Sequence, residues 1–139
     1  MVFAKEIRLS TSGDTDIIDI TQDIQKVVRE SKLSDGIATV SVIGSTGAVT
    51  TLEYEPALVS DLKNTLEKLV PSNKTYAHDA TWGDANGYSH LRSALLGTSK
   101  TFPFSGGKLV LGTWQQIVFI ELDNRPRDRK IFVQVIGEK

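Results

Sequence analysis

The side chains best suited to chemistry are gathered in one stretch, residues 76–90. It holds both histidines of the chain, His78 and His90, together with Asp79, Asp84, Asn86 and one of the two tryptophans, Trp82. An imidazole titrates near neutral pH and a neighbouring carboxylate tunes it, so His78, Asp84 and His90 are candidates for general acid–base work. The same two imidazoles, His78 and His90, with a carboxylate and water form a plausible divalent metal site, for Zn or Mg. Their spacing matches no compact zinc motif, and with no cysteine a thiolate site is excluded. The plainer reading is one histidine packed in the core and the other exposed on a helix. The local density of Asp79, Asp84 and Asn86 favours chemistry, because a structural connection does not need it.

Two further segments could hold an anion. Gly44-Ser45-Thr46-Gly47 reads either as an ordinary turn or as a nest whose backbone N–H groups, with the hydroxyls of Ser45 and Thr46, face a phosphate. Arg125, Arg127 and Arg129 surround a turn after Asp123, either as a solvated tip or as a guanidinium fork for phosphate or carboxylate. Trp82 and Trp114 are read as buried packing, with stacking on a ligand ring as the alternative.

The elements that must position these groups are legible from periodicity. Val2 to Leu9 is β-compatible and ends in a cluster of turn formers. Thr21 is the expected N-cap of an amphipathic helix carrying Ile24, Val27 and Val28 and ending near Leu33. Ile37 to Ile43 and Ala48 to Tyr54 read as strands. Pro56 opens a helix with Leu58, Leu62, Leu66 and Leu69 as its apolar stripe. Residues 76–90 are expected to be a loop running into a helix capped by Asp84 or Asn86, with Leu91, Ala94 and Leu95 buried, Gly97 at its end, and an N-terminus that favours anions. Thr98 to Phe104 and Lys108 to Leu111 form a hairpin signal, with a free edge or bulge at Pro103. Thr113 to Leu122 is so continuously apolar that both its faces must be covered, a subunit interface being a natural second cover. Lys130 to Ile136 alternates as a final strand. The fold class is α+β: a compact single domain over 1–139 with a folded mixed or antiparallel sheet and about three helices.

Composition limits the function classes. Sixteen Lys and Arg against 17 Asp and Glu leave no positive field for a polyanion, so nucleic-acid binding is not expected. Lys5, Glu6 and Arg8 interrupt any signal-peptide core, and no apolar run approaches a membrane span. A cytoplasmic protein without membrane association is the expectation.

His78, Gly83 to Leu91, Gly97-Thr98-Ser99, Gly107 to Gln115 and Asp123 with Arg127 and Arg129 together resemble the YjbQ family, also called UPF0047. Leu111-Gly112-Thr113-Trp114-Gln115 is the most distinctive of these motifs, and the resemblance is weakest before Ile37. It implies a homotrimer with polar sites near the subunit boundaries, where the arginines of one subunit could reach His78 and His90 of the next. It also implies a secondary thiamine-phosphate synthase label, a reaction in which a thiazole phosphate displaces pyrophosphate from an aminopyrimidine diphosphate. By position, His78, Asp84 and His90 fall on the family's polar cluster, and Asp123 and Arg129 on its C-terminal pair. Where many members have a His-Thr-Thr-Ala motif this chain has Gly44-Ser45-Thr46-Gly47-Ala48, so a third imidazole is missing while Glu53 still matches. The resulting expectation is a thiamine-phosphate synthase-like enzyme with His78, Asp84, His90 and Arg129 as catalytic groups and Ser45, Thr46, Asn86 and Arg127 on a phosphorylated or anionic small ligand. The alternative is a non-catalytic trimer that binds a metabolite or anion.

Overall fold

The computed structural model describes all residues, 1–139. Along the chain the elements are β1 (Val2–Ser10), β2 (Asp16–Asp19), α1 (Thr21–Ser31), β3 (Asp35–Val42), β4 (Gly47–Leu52), α2 (Pro56–Leu69), α3 (Ala77–Trp82), α4 (Gly87–Leu96), β5 (Ser99–Ser105), β6 (Lys108–Leu109), β7 (Gln116–Glu121) and β8 (Asp128–Glu138). The α+β expectation holds, and every strand pair is antiparallel. There are four helices rather than about three, because α3 lies in the stretch read as a loop. No helix is long and apolar enough to cross a membrane.

The strands form two sheets, ordered β1-β8-β3-β5-β6 and β2-β7-β4. In β8 the alternation puts Ile131, Val133 and Val135 in the core, and the strand pairs with β1 on one side and β3 on the other. The larger sheet ends on β1 at one edge and on the two-residue β6 at the other. Along β1, Lys5 bonds Glu30 of α1 at 2.6 Å on the core-side face, and Arg8 bonds Glu6 at 3.2 Å on the opposite one.

Strand β7 is buried on both faces, as its unbroken apolar run requires. Ile117 and Phe119 join the main core with Ile24, Val27 and Val28 of α1 and the inner residues of β3 and β8. Val118, Ile120 and the following Leu122 join a second core with Ile17, Ala48 and Leu66. That second face is therefore covered within the chain, by α2 and the end of α4, and needs no subunit interface. The segment Gly44–Thr46 crosses between sheets, since β3 and β4 belong to different ones, so it is neither a hairpin turn nor a kink in one strand.

Helix ends show where side chains outbid simple caps. In α1 the cap position falls on Ile20. Thr21 is the first helical residue instead, because Asp19 upstream accepts from its N–H at 2.9 Å and its hydroxyl at 2.6 Å. That hydroxyl in turn accepts from the N–H of Ile117 at 2.9 Å. In α2, Glu55 accepts from the N–H groups of Ala57 and Leu58. Leu66 is buried with Val59 and Leu62 against it, whereas Leu69 faces outward and the helix-ending Val70 is buried in its place.

Helix α4 inverts its expected orientation. Tyr88, Ser89, Arg92 and Ser93 are buried, while Leu91 and Leu95 are exposed. The polar face is held because Tyr88, Arg92 and Ser93 find partners, although the Ser89 hydroxyl is buried without one. Arg92 donates to the carbonyl of Val70 from Nε (3.0 Å) and Nη2 (2.9 Å), and to Glu67 at 2.9 Å. Its guanidinium also lies 4.9 Å from the Tyr88 ring centroid, and the Tyr88 hydroxyl donates to Asp14 at 2.7 Å. Burial, with the Asp14 carboxylate beside it, pushes the Tyr88 phenol up to about 12. Ser93 donates to the carbonyl of Gly47 at 2.6 Å. Trp82 and Trp114, expected to be packed inside, are 74% and 72% exposed: each sits at an element end or loop with no core face behind it.

The two leucines near the end of α2 separate the faces of that helix. Leu66→Ala is expected to cost about 2–5 kcal/mol, and Leu69→Ala within about 0.5 kcal/mol, in urea denaturation of the two variants.

Candidate functional site

The loop between β3 and β4, the start of α4 and the turn leading into β8 meet around a cavity of about 660 Å³. Ile43 is the single hydrophobic residue among the 14 that line it. Ser45, Thr46, Asp84, Asn86 and His90 line it together with Asp123, Arg125, Arg127, Arg129 and Lys130.

Its floor is a buried ion pair. Arg129 donates from Nε to Glu121 at 2.8 Å and from Nη2 to the second Glu121 oxygen at 2.5 Å. Arg129 is 4% exposed and Glu121 wholly buried. Two such charges are tolerated inside only when their remaining hydrogen-bonding capacity is met. Here Thr11 donates to Glu121 at 2.8 Å, the N–H of Asp123 donates to it at 3.1 Å, and Thr46 accepts from Arg129 Nη2 at 2.7 Å.

Asp123 is the second hub. One of its oxygens accepts from Asn86 (3.3 Å) and the N–H of Asn124 (2.8 Å), the other from Thr46 (3.2 Å) and Arg127 Nη1 (2.7 Å). Burial pushes the carboxyl upward, but the bond from Asn86, the N–H of Asn124, the Arg127 charge and the Thr46 hydroxyl together hold it below the usual carboxylate range. Thus the Thr46 hydroxyl, expected on a ligand, is engaged on both sides by protein, and Arg127 spends one arm on Asp123.

The two histidine rings are in contact, with centroids 4.5 Å apart and planes tilted by 45°. His90 lines the cavity and His78 stands behind it, off the cavity. His78 Nδ1 is buried without a hydrogen-bond partner, its nearest carboxylate oxygens being Asp84 at 3.9 Å and Asp79 at 4.0 Å. The Asn86 side-chain oxygen is likewise buried and unpartnered.

Asp79 is structural. It accepts from the N–H of Tyr76 at 2.9 Å and of Gly87 at 2.9 Å, closing α3 onto the start of α4. These two bonds, with His78 adding to them, hold its carboxyl below the ordinary range. A carboxylate of the chain itself therefore occupies the first turn of α4, where an anionic ligand was expected, and neither Asp84 nor Asn86 donates a side-chain cap to the helix.

For a metal, the donors present fall short of a closed shell. His78 and His90 are adjacent, but no group of three or more His, Asp or Glu is placed to hold an ion. Unpaired guanidinium N–H groups and hydroxyls around the cavity suit an anion better than a cation.

The three segments singled out in the sequence thus converge within one chain, and the arginine turn reaches His90 without a neighbouring subunit. Residue type and spacing do not single out Glu121, Asp128 or Lys130. Glu121 closes an apolar run and reads there as a strand end, although a lone acid at the end of a buried strand is itself a signal of a buried partner. Lys130 reads in the sequence only as the start of a strand.

An α+β chain of two antiparallel sheets with a polar cleft between loop, helix and arginine turn defines a narrow structural class. The model of the YjbQ-like UPF0047 proteins matches residues 5–138, and the chain belongs to this family. A UPF0047 protein of Methanothermobacter thermautotrophicus is 43% identical over 137 residues, covering 99% of this chain and 94% of that protein. A YbjQ-like protein of unknown function from Sulfolobus solfataricus P2 superimposes with a TM-score of 0.94 at 33% identity, over 99% of both chains. A YjbQ/UPF0047 protein from Clostridium acetobutylicum does so with a TM-score of 0.87 at 39% identity, over 95% of this chain and 99% of that one.

The lowered Asp123 carboxyl gives a pH signature. A folded-state pKa below the unfolded value contributes stability that is complete at neutral pH and is lost as the pH falls through the folded value. Asp123→Asn is therefore expected to be less stable than the parent at pH 7, with the difference shrinking at acid pH. Urea titrations of both proteins across that range measure it.

Proposed function

We propose that the cleft binds a small phosphorylated metabolite and that His90 moves a proton on it. The observation that carries this reading is the cavity's lining, with a single hydrophobic residue and with Arg125, Arg127, Arg129 and Lys130 among the residues around it. Ligand cavities are usually lined mainly by apolar groups, so this one suits a small, highly charged molecule. In this reading the guanidinium groups hold phosphate oxygens, Ser45 and Asn86 orient the ligand, and Asp84 sets the charge near the histidine pair. His78 acts through His90, by ring contact, as a positioning residue.

The narrower form of the proposal is thiamine-phosphate synthesis. There a C–N bond forms to the thiazole phosphate, the C–O bond to pyrophosphate breaks, and the departing charge needs cationic stabilisation. Magnesium would arrive on the ligand's phosphates rather than on a preformed protein shell. A second reading, binding without turnover, is favoured by the 3.9 Å gap between His78 and Asp84, which leaves the acid–base pair unformed. Exposed Trp82, Leu91 and Leu95 on and beside α4 support a homotrimer.

Purified protein given both precursors and magnesium provides the test. Expected is thiamine phosphate formation that falls by about 10²–10⁴-fold in His90→Ala and less in His78→Ala. No product, or turnover indifferent to His90, rejects the enzyme reading. A phosphorylated metabolite that raises the melting temperature without being converted supports the binder.

A further inference from the structure

Arg129 is fixed before any ligand arrives. Its Nε and Nη2 are committed to Glu121 and Thr46, at 2.5 to 2.8 Å. Nη1 donates to no protein group, although a guanidinium carries two N–H donors there. What lies over Nη1 is Gly44. A Cβ at that residue would stand 2.8 Å from Nη1 and meet no other atom within 4 Å, so a side chain there would crowd the guanidinium that the glycine leaves free to face the cavity. Gly44 and Arg129 both line the cavity.

We propose that Gly44 and Arg129 Nη1 form a seat for one oxygen of a terminal phosphate group, and that Gly44 decides whether the site takes such a group. The inference rests on the reading of the cleft as a phosphorylated-metabolite site and names the atom that reads the phosphate. An acceptor oxygen over Nη1 meets a donor whose side chain is locked by a buried ion pair, so little ordering remains to be done on binding. Nearby, Arg125 and Lys130 have no ion-pair partner and face the same cavity, which favours a dianion over a single carboxylate. Asp84 and Asp128 face it too, so the positive field is local to this seat rather than general.

The experiment compares inorganic phosphate, pyrophosphate and acetate on the full chain and on Gly44→Ala. Binding is followed by calorimetry, and the Arg129 guanidinium by ¹⁵N-resolved NMR. Expected is binding of phosphate or pyrophosphate but not acetate, a shift of the Arg129 resonances, and at least about a tenfold loss of affinity in Gly44→Ala. The backbone at Gly44 has φ +154°, which disfavours other residues, so the variant's ligand-free melting is measured as well. Should it fail to fold, the wild-type Arg129 resonances decide alone. Phosphate binding that leaves those resonances unmoved, or a folded Gly44→Ala with unchanged affinity, overturns the seat and leaves the wider reading standing. Acetate binding as tightly as phosphate overturns the assignment to phosphate. Failure of both phosphate and pyrophosphate to bind the parent removes the wider reading along with it.

Discussion

Glu121 and Arg129 belong to different sheets, β7 in the smaller and β8 in the larger, and their charge pair joins the two where the hydrophobic core runs out. Removing two charges from water is expensive, and an apolar pair of equal volume would often hold the sheets together as well. The pair is tolerable because Thr11, Thr46 and the N–H of Asp123 complete its hydrogen bonding. The same contacts fix where three connections run: the end of β1, the crossover into β4 and the turn before β8. The cleft exists because those connections are held open around a polar floor instead of collapsing onto an apolar one. Function and sheet packing therefore share one set of side chains.

The same logic governs α4. A helix with outward leucines and an inward arginine contradicts simple amphipathicity, yet Arg92 has the carbonyl of Val70, Glu67 and the Tyr88 ring around it. Charge-assisted hydrogen bonds in a desolvated setting outweigh the transfer of two leucines, even with the Ser89 hydroxyl buried beside them unpartnered. This orientation turns His90 into the cleft and sets Asn86 within reach of Asp123.

Much of the architecture was legible because it rests on periodicity. The alternation of β8, the apolar run of β7 and the stripe of α1 depend on burial patterns that leave a direct mark on residue order. What stayed hidden depends on partners distant in sequence. The inversion of α4 follows from Asp14, Glu67 and Val70, none of which a local window contains. Helix α3 was masked because Asp79 and Gly83 read as loop residues, whereas Asp79 caps the turn and Gly83, at φ 74°, ends it. Within the site, residue chemistry marks the Gly44–Gly47 segment, the His90 region and the arginine turn singly, whereas their meeting inside one chain depends on the fold. The division of labour depends on it too: Thr46 supports rather than contacts, His78 sits behind His90, and Glu121 carries the floor.

The edges of the larger sheet set the terms on which this protein meets others. One edge is only two residues long, and the other, β1, carries Lys5, Glu6 and Arg8 along an otherwise pairable backbone. Charged side chains on an open strand discourage a second chain from adding to the sheet. Backbone pairing at the edges of this larger sheet, a route to fibrous association, is thereby suppressed. Encounters between molecules there are left to side-chain surfaces, where shape and charge can discriminate and where drift in sequence alters partners without endangering the sheet.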